Sequence, residues 1–511
     1  MSVSVLLIRP DPGNERFGLG PFFRVEPLGL GYIAAALRQA GHEPHVVDAR
    51  FESGLARVLR RTRPRVVGVS ALHALEYERV LEVAREVRRL SPGCFVLVGG
   101  HAAAAFPEPL ETDAVDAICL DDGEEVVPAL VDALERGTPL AAVPALRLRT
   151  PDGWVTTAPL AERTGLDRVP LPERLGADRY RSRYHCLLFR PVWLVETARG
   201  CPFRCSFCSV WQLYGRSFRE RSVGAVVDDF AAVGEHVFVA DDLFWNHPAR
   251  SLELAHALRR RGVRKRWILV QSRCDLVARH PELLAAWRPL AEHFDVFFGL
   301  EAPTDAGLAG LAKDASLDET LEGVRAARAE RFGVTGNFLV DPAWGESEFR
   351  ELWAFVKQHG LGRAGYTILT PLPGTELFER LRPALEGQPW ANYDMHHLLW
   401  RPKLGPARFF ELYAETWRRS VLNLSGDKRW LDWVRQVRPR EIPYITRVML
   451  RTQRLMKPRA YLAEHEHGAH ATPLRSVDPA WLPAPARGSS EPDGASQAPR
   501  RALPLADASR D

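Results

Sequence analysis

Ala198-Arg199-Gly200-Cys201-Pro202-Phe203-Arg204-Cys205-Ser206-Phe207-Cys208 is the stretch on which the reading of this chain turns. Three cysteines stand at Cys-x3-Cys-x2-Cys spacing in a tight, Gly- and Pro-containing loop. Thiolate sulfur is the soft ligand of iron–sulfur clusters, and a [4Fe–4S] cubane normally takes four of them. This run supplies three and stops, which leaves one iron an open coordination position. A structural zinc site would need a closed set of four ligands, and no second Cys-x2-Cys or His-x3-His follows at a usable distance. Inert buried thiols would be an odd use of three cysteines in one such loop. A closed electron-transfer cluster would need Cys186 or Cys274 as the fourth donor, and neither has motif spacing.

Cys201, Cys205 and Cys208, with Phe207 just before the last and an apolar strand at 191–196 ahead of them, resemble the signature of the radical S-adenosylmethionine (SAM) superfamily. The resemblance implies that the amine and carboxylate of SAM chelate the open iron. An electron from the cluster then breaks the sulfonium C–S bond and releases a 5′-deoxyadenosyl radical. It also implies roles for residues at strand ends downstream. Asp241 and Asp242 would meet the SAM ammonium, Arg273 its carboxylate, and Glu301 its ribose or amine. A helix cap or solvated turn is the alternative for the aspartates, and structural ion pairs are the alternative for the other two.

Ahead of this region, strands at 3–8, 43–48, 65–70, 94–100 and 117–120 alternate with helices at 28–41, 77–90 and 124–136 and a basic amphipathic segment at 54–63. That alternation predicts a parallel doubly wound sheet, with ligands at the strand carboxyl ends. Ser70 and Gly99-Gly100 fall there, although a plain tight turn also accounts for the glycines. Pro27-Leu28-Gly29-Leu30, Ala40-Gly41-His42, Val47-Asp48, Val98-Gly99-Gly100-His101 and Gly123-Glu124-Glu125 resemble the cobalamin-binding domain that precedes many radical SAM enzymes. The resemblance implies a Rossmann-like cobalamin (B12) domain over 1–140, with Ser70, Gly99 and Gly100 against the corrinoid. Asp-x-His-x-x-Gly, which gives cobalt a histidine in many cobalamin proteins, does not occur, so the lower face of the cobalt is expected to lack one. Asp121-Asp122-Gly123-Glu124 stands where that branch has Gly-Glu-Gly-Glu, a departure with no evident reason in the sequence.

Residues 141–190 read as a Pro-rich linker with a small hairpin at Asp152-Gly153. Over 191–385 strand–helix alternation resumes in six units, as in a partial (β/α)6 TIM-like radical SAM barrel with its chemistry at the strand carboxyl ends. The strand signal then vanishes, and 386–465 reads as a helical domain. Its aromatic residues, Trp390 to Trp417, are mostly core, with part available to line an apolar cavity. His396 and His397 point apart as neighbours, so metal ligation is the lesser reading. Residues 428–462 combine helical apolar spacing with a basic face, which suits peripheral membrane docking or a helical cap with a solvated face. Residues 466–511 lack periodicity and read as a disordered tail.

The length, 511 residues, predicts two or three domains. Lys and Arg number 68 against 64 Asp and Glu, a net of +4, which does not indicate a nucleic-acid partner. Seven cysteines, three of them in the motif, suit a reducing compartment rather than a disulfide scaffold. The start lacks a signal-peptide pattern and no run of 18 apolar residues occurs, so a cytoplasmic protein is expected, with the inner membrane face as a peripheral site.

Three further stretches, 23–30, 209–216 and 240–245, resemble the hopanoid C-3 methylase family, and the likeness continues through 394–400 and 404–410. That family methylates ring A of a pentacyclic triterpenoid. The resemblance implies three cofactors, a [4Fe–4S] cluster, SAM and cobalamin. It implies C-methylation in which the radical removes hydrogen from an unactivated carbon and methylcobalamin delivers the methyl group. A low-potential donor such as flavodoxin or ferredoxin would supply the electrons. The same machinery on another substrate, a cobalamin-assisted cyclisation, and a non-catalytic cobalamin-binding regulator remain as alternatives. The sequence names no catalytic side chain beyond the cofactor contacts.

Overall fold

Ser4–Arg9 is apolar at four consecutive central positions, all buried, as a strand covered on both faces must be. It pairs in parallel with Glu43–Asp48 on one side and Val66–Ser70 on the other. Phe95–Gly99 and Ala117–Cys119 extend the sheet beyond Val66–Ser70. The first and third strands of this sheet are thus neighbours, and the strand order reverses between them. That switch point is where open α/β sheets take ligands. The computed structural model describes residues 2–13, 23–186, 188–422, 439 and 442–478.

The hairpin expected at Asp152-Gly153 forms, but it does not lie in a linker. Its strands, Leu146–Thr150 and Gly153–Thr156, add antiparallel to Ala117–Cys119 and make the sheet seven-stranded. The N-terminal domain therefore runs to Thr156 rather than 140. The reason is that Ala117–Cys119 would otherwise be a bare edge of a buried sheet. The rest of the expected linker is packed as well. Ala177, Tyr180, Tyr184 and Cys186 share a buried cluster with Trp267 and Leu269 of the following domain.

Six strands, Trp193–Val195, His236–Val239, Lys265–Ser272, Ala291–Glu301, Gly333–Val340 and Ala364–Ile368, follow in chain order, all parallel, as an open barrel wall. Ile268, Val270, Val296, Phe298, Phe338 and Val340 face outward into the helix layer. The inward set includes Trp267, Leu269, Phe238 and Phe297. Phe189 stacks on Trp267 with ring centres 4.4 Å apart and closes the barrel at the amino ends of the strands. Access is left at the carboxyl ends.

Glu26 ties the two domains together. Its Oε1 accepts from Leu194 N and Arg174 Nη1, both at 2.7 Å, and its Oε2 from Arg181 Nη2 at 2.6 Å. Helices Pro406–Leu422 and Pro458–His467 pack beside the last barrel strand, where Tyr413 donates to Tyr366 O at 2.8 Å. Phe409, Phe410, Tyr413, Tyr393 and Trp400 are all buried, so the aromatic stretch is core. His397 Nδ1 lies 2.9 Å from Asp394 and His396 Nδ1 2.9 Å from the Tyr413 hydroxyl, which gives both histidines structural partners.

The basic segment is described only in part, since 428–438, 440 and 441 lie outside the described residues. Helix Ile442–Thr452 buries Tyr444, Ile445 and Val448. Tyr444 packs under the Arg190 guanidinium, at the barrel end opposite the cysteine loop. Among the described residues no helix is long and apolar enough to cross a membrane.

The tail expected from 466 needs correction over 466–478, since helix Pro458–His467 takes in its first two residues. Arg401 N donates to Arg475 O at 2.9 Å, Gln388 Nε2 to Pro473 O at 3.1 Å and Asn392 Nδ2 to His470 O at 3.1 Å. Buried amides need acceptors, and this extended strip supplies them without any periodic pattern. Residues 479–511 lie outside the described residues.

Candidate active site

The cysteine loop hangs from a two-stranded ribbon. Ala198–Gly200 pairs antiparallel with Phe218–Glu220 at the carboxyl end of the first barrel strand. Gly200 has φ +93°, and a Cβ there would run into the Ser217 carbonyl oxygen. Within the loop Trp211 Nε1 donates to Cys205 O at 2.9 Å, and Ser206 N donates to Leu311 O at 3.1 Å. Cys201, Cys205 and Cys208 are free and half-buried. Burial pushes the Cys201 thiol up to about 11 and the Cys208 thiol to about 12, with neighbouring thiols of the trio adding to each. Among the described residues no three His, Cys, Asp or Glu side chains close on one metal-ion position. Cys186 is buried at the barrel floor and Cys274 in the outward-facing core, so neither joins the loop.

The two strand-end aspartates hold this loop. Asp241 accepts from Thr197 N and from Thr197 Oγ1, both at 2.6 Å, and burial raises its carboxyl to about 7. Asp242 accepts from Gly200 N at 2.9 Å, and burial raises it as well. Arg273 lies 3.7 Å from the centre of the Phe203 ring, donates to Asp275 at 2.8 Å and also reaches Asp314 O. Glu301, with φ +61°, pairs with Lys313 at 2.9 Å, and Lys313 also donates to Gly299 O at 2.7 Å. Lys313 and Arg273 both oppose the burial that raises the Cys205 thiol, which places their charges beside the trio.

Lys313 is the functional candidate that sequence reading missed. No motif marks it. The available signal was rarity, since the chain has six lysines among its 68 Lys and Arg residues.

Ser70, Gly99 and Gly100 come together at the carboxyl edge of the N-terminal sheet. Ser70 is the register partner of Gly99, and Ala71 N donates to Gly99 O at 2.7 Å. Gly100 has φ +115°, and a Cβ there would sit 2.8 Å from Ala71 O. That edge faces the cysteine loop: His101 Nε2 lies 2.7 Å from Ser209 Oγ, one residue past Cys208. Burial, with His73 nearby, lowers His101 to about 4, so the bridge is made by a neutral imidazole. Phe207 packs against a cluster drawn from both domains, with Val98 and Ala103 on one side and Leu308 and Leu369 on the other. The candidate ligands of two cofactors thus line one interdomain cleft.

Residues 21–131 match the B12 binding domain family, and residues 195–356 match the Radical SAM superfamily. Over 403 residues the chain is 30% identical to the hopanoid C-3 methylase of Methylococcus capsulatus, covering 77% of this chain and 76% of that one. The chain belongs to the cobalamin-dependent radical SAM methyltransferases. Its cofactors are those of the family, a [4Fe–4S] cluster, SAM and cobalamin. The residues present fit them: three free thiols on one loop, and a strand edge kept low by Gly100.

Another relative is the anaerobic magnesium-protoporphyrin IX monomethyl ester cyclase of Rubrivivax gelatinosus. It is 26% identical over 82% of this chain and 77% of that one. The family fold recurs in TsrM from Kitasatospora setae, with TM-score 0.62 and 20% identity over 76% of this chain and 79% of that one. It recurs in OxsB, with TM-score 0.66 and 16% identity over 91% of this chain and 73% of that one.

Proposed function

We propose that the chain methylates an unactivated carbon of an apolar polycyclic substrate, with C-3 of a hopanoid as the target. The observation that carries this is its 30% identity to a hopanoid C-3 methylase across three quarters of both chains. The apolar inward residues Phe238, Leu269 and Phe297 support it, since they suit a hydrocarbon skeleton better than a polar one.

When bound, the cluster and SAM supply a carbon-centred radical and the corrinoid supplies the methyl group. The chain's own residues hold and aim these groups. Cys201, Cys205 and Cys208 take three irons of the cluster, and Phe207 seats the loop against the cobalamin domain. Asp241 and Asp242 act on SAM through the loop they hold rather than by direct contact. Arg273, paired with Asp275, and the Glu301–Lys313 pair would present two buried ion pairs to the SAM carboxylate and ammonium. Ser70, Gly99 and Gly100 form the edge on which the corrinoid lies. A flavodoxin or ferredoxin would reduce the cluster. We place the protein in the cytoplasm, with the exposed residues Ile442, Met449 and Leu450 and the adjacent arginines as its peripheral membrane contact.

The test is an anaerobic assay with methyl-labelled SAM, a reductant and a hopanoid. The expected product carries label on ring A. Label elsewhere, or unlabelled hopanoid beside active SAM cleavage, would sink the substrate assignment. A second reading, a cyclisation, is favoured by the similarity to the Rubrivivax cyclase. It predicts consumption of a porphyrin ester without transfer of label.

A further inference from the structure

Asp121-Asp122-Gly123-Glu124, the turn whose composition the sequence left unexplained, reaches out of its own domain. Asp122 Oδ2 accepts from Arg219 Nη2 at 2.6 Å, and Asp122 Oδ1 lies 3.5 Å from Arg199 Nη1. Arg199 and Arg219 are register partners across the ribbon that opens and closes the cysteine loop. Glu124 also takes Arg199, and Glu196 accepts from Arg199 Nε at 2.9 Å. Asp121 accepts from Arg163 Nε at 2.7 Å, and Arg163 Nη2 donates to Leu213 O at 2.7 Å, inside the cysteine loop. One acidic turn therefore grips both strands of the ribbon and, through Arg163, the far limb of the loop.

The charges make this grip specific. Like charges directly opposite on a ribbon repel. Arg199 and Arg219 are such a pair, and Asp122 accepts from one and stands beside the other. Asp122 is 8% exposed and Arg199 7%, so solvent ions screen the contact little. The turn also sits on the domain that presents Ser70, Gly99 and Gly100. A link between corrinoid edge and cysteine loop thus runs through a single short segment.

We propose that Asp122 is a positioning residue that fixes the SAM held at the cysteine loop against the corrinoid by pairing with Arg199 and Arg219. With these cofactors, one SAM would methylate the reduced corrin. The methyl would leave sulfur as a cation equivalent, the electron pair of the reduced corrin would take it, and S-adenosylhomocysteine would depart. Such a transfer needs in-line alignment across the domain boundary, where an error of about 1 Å costs on the order of a hundredfold in rate. Binding of SAM to the cluster needs no such alignment. The inference rests on the two-cofactor chemistry of the family and not on the hopanoid assignment.

The experiment uses reconstituted, substrate-free holoenzyme. SAM-dependent methylation of the reduced corrinoid is followed by absorbance, and SAM binding by the change in the electron paramagnetic resonance signal of the reduced cluster. Asp122→Asn is expected to slow corrinoid methylation about tenfold or more. Iron content, corrinoid content and the SAM-induced signal change should stay within about twofold of the parent, and Asp122→Glu should recover part of the rate. Arg219→Gln, which removes the contact from the other side, should behave like Asp122→Asn. Unchanged methylation in both variants would overturn the proposal. So would loss of the cluster signal in parallel with methylation, or failure of both variants to fold, since each makes the ion cluster merely structural. A parent enzyme that does not methylate its corrinoid would instead overturn the reaction on which the inference rests.

Discussion

At Gly200 a hydrogen in place of a methyl group keeps the cysteine loop closed. Its backbone is left-handed, and the Ser217 carbonyl oxygen fills the space where a Cβ would go. Gly200→Ala is therefore expected to cost about 2 kcal/mol or more and to lower retained iron severalfold, measured by iron and sulfide content after anaerobic reconstitution. Lys313 matters for a different reason. It and Glu301 form a buried pair, each less than a tenth exposed. Lys313→Met strands a buried carboxylate and should destabilise the chain by about 3 kcal/mol in denaturant titration. It should also weaken the response of the reduced cluster to SAM. If SAM binding survives intact, the pair serves the fold alone.

The C-terminal helices form a cap whose stability responds to acid. His396 is buried beside Asp394, His397 and Tyr413, and burial lowers it to about 4. Unfolded, a histidine titrates near 6.5. The unfolded chain thus binds the extra proton first, and the cap's stabilisation, full above about pH 6.5, is lost as pH falls toward 4. His465, stacked on His397 and also lowered to about 4, acts in the same direction. For His396 alone the loss amounts to about 3 kcal/mol. Unfolding midpoints at pH 7 and pH 4.5 should show it, and His396→Gln should flatten the dependence. An unchanged slope in that variant would assign the acid response elsewhere.

Across the whole molecule, two cofactor sites meet at one cleft but hang on separate sheets. Cys205→Ala should abolish the cluster while leaving corrinoid content near one per chain. Gly100→Val, which puts bulk 2.8 Å from Ala71 O, should lower corrinoid content and leave about four irons per chain. Quantifying iron, sulfide and corrinoid on the same samples checks both. Joint loss in either variant would mean that loading of one site is required for the other.

The cofactor class and the two principal layers of architecture can be read from the chain alone. Those follow from local signals: three thiols within eight residues, and apolar strands alternating with amphipathic helices. That Ser70, Gly99 and Gly100 meet at one strand edge is legible because a parallel sheet puts all its carboxyl ends on one side. Which groups meet across the chain is set by folding. The register of a strand end says that Asp241, Asp242, Arg273 and Glu301 share the barrel mouth. It does not say that Thr197 and Gly200 occupy the aspartates, or that a lysine from a loop pairs with Glu301. The hairpin at 146–156 reads as linker because an edge strand's partner is not encoded nearby, and the strip at 468–478 reads as tail because its contacts, backbone carbonyls together with Leu474, Arg475 and Val477, follow no period. The turn at 121–124 reads as an anomaly until its partners, 42 to 97 residues away, come into view. Charge pairing over such distances leaves no periodic trace, and only the folded chain brings the two signs together.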